Sequence, residues 1–429
     1  MVHVAREMQR LGFEQPLLIG GATTSPAHTA VRIDPQYAGP VVHVKDASRA
    51  VGVCQQLITP DTKPAYVAQL KSEHARRREQ HRNKGARSQQ LPLAQARAHK
   101  FNVDWSGYTP PRPSFLGVST FEDYPLRELV PYIDWMPFFN AWEFAGKFPD
   151  ILADPVIGAA ASALYADARK MLETLIAEKW LGARAVIGLF PANSVDDDDI
   201  AVFADEARRT RLVTLHQLRQ QKAMPEGHGQ WCLADWVAPA ALSKPDYIGA
   251  FAVTAGIGID EHVKRFEAAH DDYNAILLKA LADRLAEAFA EKMHERVRCE
   301  FWAYAPTENL DPDALLAERY RGIRPAPGYP ACPDHTGKAA LWKLLDAEAN
   351  SGIRLTESYA MLPTAAVSGF YFAHPDARYF AVGKIDRDQA QSYAQRKGAA
   401  LAETERWLAP NLSYEPSAAA DAAETADAA

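Results

Sequence analysis

Cysteine is scarce in this 429-residue chain. The four present, Cys54, Cys232, Cys299 and Cys332, are too far apart to suggest a disulfide framework, which fits a reducing, cytoplasmic setting. No apolar run approaches the ~20 residues that a membrane span needs. The opening from Met1 to Arg10 is amphipathic with charges inside it, unlike a signal peptide. Basic charge is not in excess: 47 Lys and Arg against 54 Asp and Glu leave a net charge of −7, which argues against a nucleic-acid partner. Metal-site spacing is lacking too. Cys332 with His335, and His228 with Cys232, each form one pair without a second, so no metal is expected. Apolar residues, by contrast, make up 48% of the chain, ample for the cores of two or three domains.

Met1 to Leu11 reads as the end of a helix, and Pro16 to Gly20 as a short buried strand. GGATTS then leads into a helix with Pro26 near its first turn, followed by a strand at Val41 to Val44 and a helix from Ala47 to Ile58. Strand, loop, helix, strand, helix is the pattern of a doubly wound parallel sheet, of which this is only the last portion. Further strands are therefore expected upstream of Met1. The GGATTS turn is either a plain strand-to-helix connection or a place where backbone N–H groups and hydroxyls meet a phosphate or amide. Thr62 to Asn83 is a charged helix, read as the solvated face of a linker.

A second domain begins near Asp104. Its expected helices are Ala159–Trp180, Asp260–Phe301 with one interruption, Asp311–Tyr320, Gly337–Ala347 and Asp386–Leu408. Buried strands are expected at Arg184–Phe190 and Asp246–Thr254. Asp196 to Asp199 lacks calcium-loop spacing and reads as an exposed turn. Asp283 and Glu287 lie four apart on one helical face, and read as solvated residues beside the stripe of Leu277, Leu281, Leu285, Ala288 and Phe289. The tail from Pro416 to Ala429 is Ala-rich and acidic, and reads as disordered.

One loop has a different character. From Arg324 to His335, Pro325, Pro327, Pro330 and Pro333 stiffen a segment that is neither helix nor strand. Gly328 permits a close backbone approach. With Arg324 at its start and Tyr329 in its middle, the loop suits a ligand with a carboxylate at one end and a flat ring at the other. Composition alone leaves a proline-rich connector over a helix end equally open.

The run RGIRPAPGYPACPDHT closely resembles the signature loop of the S-adenosylmethionine-binding reactivation domain of cobalamin-dependent methionine synthase. YIDWMPFF, GLFPAN, CLADWVAP, DYIGAFAVTAG, HDDYNAILLKALADRLAEAFAE, LTESYAMLP and ERWLAPNLSY agree in order, so the resemblance runs from about Asp104 to Tyr414. PLLIGGATTSPAHTAV and VKDASRAVGV resemble the end of that enzyme's cobalamin-binding domain.

The resemblance implies an α+β reactivation domain at 104–415, with long helices around an antiparallel or mixed sheet. It also implies a partial α/β doubly wound cobalamin-binding domain with its charged helix at 1–90, a linker at 91–103 and a tail at 416–429. It assigns S-adenosylmethionine contacts to Asp134, Arg324, Ala326, Gly328, Tyr329, Tyr379 and Phe380, and the channel for the cobalamin tail to Gly20, Gly21, Thr23 and Ala47. Chemically, Arg324 suits the ligand carboxylate and Asp134 its ammonium. The rings of Tyr329 and Tyr379 suit the adenosine, and backbone at Ala326 and Gly328 its polar atoms. The cobalt-ligand motif D-x-H-x-x-G is absent; Asp260-Glu261-His262 is a chance near match, and His28 reads as a packing or surface residue. The cobalamin site is thus expected to be incomplete here.

The implied role is reductive methylation of oxidised cobalamin. A flavodoxin-like or diflavin reductase would be the electron donor and the upstream methionine synthase modules the partners. A non-catalytic S-adenosylmethionine-binding or docking module is the alternative.

Overall fold

The computed structural model describes residues 1–20, 25–44, 47–87, 90–225 and 227–416. The chain divides into two compact units, 1–89 and 90–429.

In the first unit, strands β1 (Leu17–Gly20) and β2 (Val41–Val44) pair in parallel, Leu17 opposite Val41. Helix α1 (Val2–Arg10) sets Ala5 against Ile19, Ile33 and Val41. Helices α2 (Ala47–Ile58) and α3 (Lys63–Arg87) follow, and Leu57, Val67 and Leu70 pack with Val42 and Val44. The strands are apolar because apolar clusters form with residues of both alternations, as parallel sheets require. The charged α3 is not wholly solvated. His74, 4% exposed, lies 3.1 Å from Asp34, and Arg78 also pairs with that carboxylate.

The second unit is built on a six-stranded antiparallel sheet. Its strands are β3 (Gly117–Phe121), β4 (Gly182–Val195), β5 (Asp199–Phe203), β6 (Arg211–His216), β7 (Asp246–Ile257) and β8 (Ala366–Tyr371), in the order β8-β7-β4-β5-β6. The long β4 pairs with β7 along one edge, and with β3 and then β5 along the other. Both faces are covered. Ala185, Ile187, Leu189, Phe251 and Val253 enter the core that contains Leu277, Leu281 and Phe289 of a 25-residue helix, α8 (Asp272–Arg296). The alternate residues Val186, Phe190, Ile248, Ala250 and Ala252 pack with Leu341, Leu344 and Leu345 of α9 (Gly337–Leu345). A strand buried on both faces shows a continuous apolar run rather than alternation, as β4 and β7 do. Each large apolar side chain so buried is worth roughly 1.5–3 kcal/mol.

Further helices include α4 (Leu93–Ala98), α5 (Met136–Ala141), α6 (Gly158–Ala177), α7 (Ile259–Ala268), α10 (Arg387–Lys397) and α11 (Leu401–Trp407), besides short ones at Pro26–His28, Pro312–Leu316 and Ala347–Ser351. The expected helix Asp260–Phe301 is therefore α7 and α8, divided at His270, which has φ +57°. Asp271 caps α8 by accepting from the Asn274 N–H at 3.1 Å.

Two stretches differ from their sequence reading. Residues 91–103, anticipated as a linker, carry α4, whose Leu93 and Ala96 are buried. The Leu93 N–H donates to Asp388 at 2.6 Å. The acidic run was read as an exposed turn, and Asp196 and Asp197 do form the tip, with positive φ. Asp198 and Asp199, however, are 0% and 3% exposed. Asp198 is paired with Arg97 and Arg219, each at 2.7 Å, and Asp199 with His216 and Arg396. Three arginines and a histidine brought from elsewhere in the chain make this burial tolerable, and no local sequence pattern announces them.

Candidate ligand-binding site

The proline loop is pinned along β8. Ile323 and Phe372 exchange backbone hydrogen bonds at 3.1 and 3.0 Å, and the Pro325 carbonyl accepts from the Phe370 N–H at 2.9 Å. Gly369 makes room for this contact, since a Cβ there would lie 2.7 Å from the Pro325 carbonyl oxygen. Further on, the Pro330 carbonyl accepts from the Val382 N–H at 2.8 Å. Inside the loop, the Tyr329 N–H donates to Ala326, Gly328 to Cys332, and Cys332 to Tyr329, at 3.1, 2.7 and 2.9 Å. Among the described residues, this leaves the Ala326 N–H and the Gly328 carbonyl without hydrogen bonds.

The exit of the loop is clamped by Asp334. Its carboxylate accepts from the hydroxyls of Thr336 and Tyr393, each at 2.8 Å, and from Lys397 at 2.6 Å. Burial pushes this carboxyl up, but Lys397 and Thr336 hold it below its ordinary range.

Arg324 stands at the entrance with its side chain 19% exposed. Its Nη1 is 2.7 Å from Glu291 Oε2, 2.9 Å from the Tyr320 hydroxyl and 3.3 Å from His294 Nδ1. Its backbone N–H donates to the Tyr379 hydroxyl at 3.0 Å. Burial works against the guanidinium charge, and Glu291 together with Tyr320, Tyr379 and Tyr371 more than offsets it. Glu287, one turn before Glu291 on α8, is raised by burial, with Arg284 and Arg324 opposing. The Tyr329 phenol is raised by partial burial and by the carboxylates of Glu287 and Asp283. The ring itself is 63% exposed, an unusual placement for a large aromatic on a stiff loop.

Asp134 is half-buried and starts α5, accepting from the Met136 N–H at 3.0 Å. The turns on either side of it pack against α8, the helix that carries Glu287 and Glu291. The aromatics beside it are structural: Trp135 and Phe138 lie 5.5 Å apart in the core. Phe380 turns its ring to Trp231, at 5.8 Å, and packs into two core clusters.

The structure therefore brings Arg324, Ala326, Gly328, Tyr329 and Tyr379 into one surface. Glu287, Glu291, His294 and Tyr320 are members that the sequence reading did not single out as ligand groups. The spacing of Asp283 and Glu287 was the available signal, but a solvated helix face has the same pattern. In the first unit, Gly20 ends β1 and Ala47 begins α2, while Gly21 and Thr23 lie outside the described residues. Among the described residues, no group of three or more His, Cys, Asp or Glu side chains is arranged to hold a metal. A cleft of about 980 Å³ beside Trp105, Asp197 and Lys244 involves none of the loop residues.

Residues 125–398 match the model of the activation domain of vitamin B12-dependent methionine synthase. The crystal structure of the MetH reactivation domain bound to AdoHcy is 55% identical over 76% of this chain and 99% of that one, with a TM-score of 0.74. The chain belongs to the family of vitamin B12-dependent methionine synthase activation domains.

Proposed function

We propose that the second unit binds S-adenosylmethionine at the loop 324–333 and holds its methyl for transfer to cobalamin, restoring methylcobalamin for methionine synthesis. The observation that carries this reading is the state of Arg324. Nη1 donates to the Tyr320 hydroxyl and His294 Nδ1 and is ion-paired with Glu291, while among the described residues Nε and Nη2 have no acceptor. A paired N–H edge of this kind fits a ligand carboxylate in a bidentate grip. The unused Ala326 N–H and Gly328 carbonyl match the acceptor and donor on one edge of an adenine, and the exposed Tyr329 ring offers it a flat surface. Asp134 takes the ammonium in this reading, with Glu287 beside Arg324 adding negative charge.

Bound there, the donor would give its sulfonium methyl to a reduced cobalt carried by the cobalamin modules, and S-adenosylhomocysteine would remain as the leaving group. The residues of the loop bind and orient the donor, and no side chain needs to act as base or nucleophile. The gain is one of proximity.

Unit 1 contributes a parallel strand pair resembling part of a cobalamin-binding sheet. In this reading the corrinoid and the cobalt ligand are supplied by upstream modules of the enzyme. An electron from a flavodoxin-like or diflavin reductase and a cytoplasmic location belong to the same reading. Among the described residues, no helix is long and apolar enough to cross a membrane.

Mixing the chain with the cobalamin-bearing modules, a reductant and S-adenosylmethionine should yield methylcobalamin, followed by its absorption spectrum. Binding of S-adenosylmethionine with no cobalt methylation would leave only a non-catalytic binding module.

A further inference from the structure

We infer that Glu291 is a positioning residue: it fixes Arg324 so that the Nε–Nη2 edge is presented to the carboxylate of the ligand. This rests on the reading of the loop as an S-adenosylmethionine site.

Glu287, Glu291 and His294 belong to α8, and Arg298 to the π-helical turn that continues it. Glu287, Glu291, His294 and Arg298 follow at helical spacings of four, three and four, and so lie near one line on the helix. Glu291 Oε2 is 2.7 Å from Arg324 Nη1, and Oε1 is 3.8 Å from Arg298 Nη1. Arg298 has no exposed surface, and its Nη2 lies 2.6 Å from Glu308. Glu291 thus lies between two arginines, ion-paired with Arg324 and 3.8 Å from the buried Arg298, which is itself paired with a second carboxylate. Attraction from both sides keeps the carboxylate beside Nη1, where its charge restrains the Arg324 guanidinium.

The remaining contacts act on the same nitrogen. The Tyr320 hydroxyl is 2.9 Å from Nη1, and His294 Nδ1 is 3.3 Å away. Burial, Arg298 and Arg324 keep His294 well below its usual range, so it stays neutral and can accept. With Nη1 occupied, the guanidinium plane is set and the donors remaining are Nε–H and Nη2–H. A carboxylate competing for Arg324 would occupy that paired edge; Glu291 occupies the other end. Its part is therefore preorganisation, sparing the ligand the cost of ordering a long side chain.

The test compares two ligands, S-adenosylhomocysteine and 5′-methylthioadenosine, which lacks the carboxylate and ammonium. Glu291→Gln keeps the size of the side chain and an acceptor oxygen but removes the charge. It should weaken S-adenosylhomocysteine roughly tenfold and leave methylthioadenosine unchanged. In an Arg324→Ala background, Glu291→Gln should cause no further loss, since the group it acts through is gone. Should Glu291→Gln fail to fold, Tyr320→Phe removes another acceptor from Nη1 and should show the same selectivity with a smaller loss. Equal losses for both ligands, or a loss that persists without Arg324, would mean a merely structural role and overturn the inference. If Arg324→Ala weakens S-adenosylhomocysteine but neither Glu291→Gln nor Tyr320→Phe does, this inference falls and the ligand assignment stands. If the wild-type chain binds no S-adenosylhomocysteine, both fall.

Discussion

The imidazole of His335 occupies the space in which a side chain at Gly328 would begin: a Cβ there would lie 2.5 Å from His335 Nδ1. Gly328 also has φ +97°, a conformation that other residues adopt only under strain. Gly328→Ala should therefore destabilise the loop by roughly 1–3 kcal/mol and weaken ligand binding. Adding His335→Ala should restore only part of the loss, because the backbone strain remains. Denaturant melts with ligand titrations check this; a Gly328→Ala protein that melts and binds like wild type would show the loop to be otherwise constrained.

Arg219 is fully buried, 2.7 Å from Asp198 and 2.8 Å from Asp235, and also donates to the Gln230 and Asp197 carbonyls. Arg219→Met would leave two carboxylates facing each other without their shared cation. A loss of roughly 3–5 kcal/mol is expected in urea unfolding. A change under about 1 kcal/mol would mean that Arg97 suffices for this corner.

These two sites show what sequence reveals and what it hides. The apolar runs at 184–190 and 246–254 disclosed β4 and β7, because burial on both faces leaves an unbroken pattern. The prolines and glycine of the loop disclosed a stiff segment that is neither helix nor strand. The environment of Asp198 was hidden, since Arg97 and Arg219 are remote in the chain and only folding brings them together. Glu287 and Glu291 were hidden for another reason. Charged residues four apart on a helix look the same whether they face water or a buried arginine, and the partner at 324 decides between them.

His374 is buried against Trp105 and Tyr108, with ring centroids 4.8 and 4.7 Å away, and its Nδ1 accepts from the Asp376 N–H at 3.1 Å. Burial is the main reason its pKa is pulled down from 6.5 to about 4. Between those values the unfolded chain binds more protons than the folded one, so stability rises with pH. This contribution is complete above about pH 6.5 and falls away toward pH 4, by up to roughly 3 kcal/mol. His374→Phe should flatten unfolding free energy across that window, measured at half-unit steps in pH. An unchanged slope would assign the pH dependence to other groups.

Asp134, placed on the ammonium, should act on every ligand that carries that group. Asp134→Asn is expected to weaken S-adenosylmethionine and S-adenosylhomocysteine to a similar degree and leave methylthioadenosine unaffected. Competition binding of the three ligands decides it. A loss confined to S-adenosylmethionine would put Asp134 beside the sulfonium instead.

Calorimetric titration of S-adenosylhomocysteine into the wild-type chain and its Arg324→Ala and Arg324→Lys variants tests the ligand site most directly. One site per chain is expected for wild type. Arg324→Ala should lose about 2–3 kcal/mol of binding free energy, and Arg324→Lys should recover part of it, because lysine keeps the charge without the fork. Unchanged affinity in Arg324→Ala would contradict the account and remove the proline loop from the binding site.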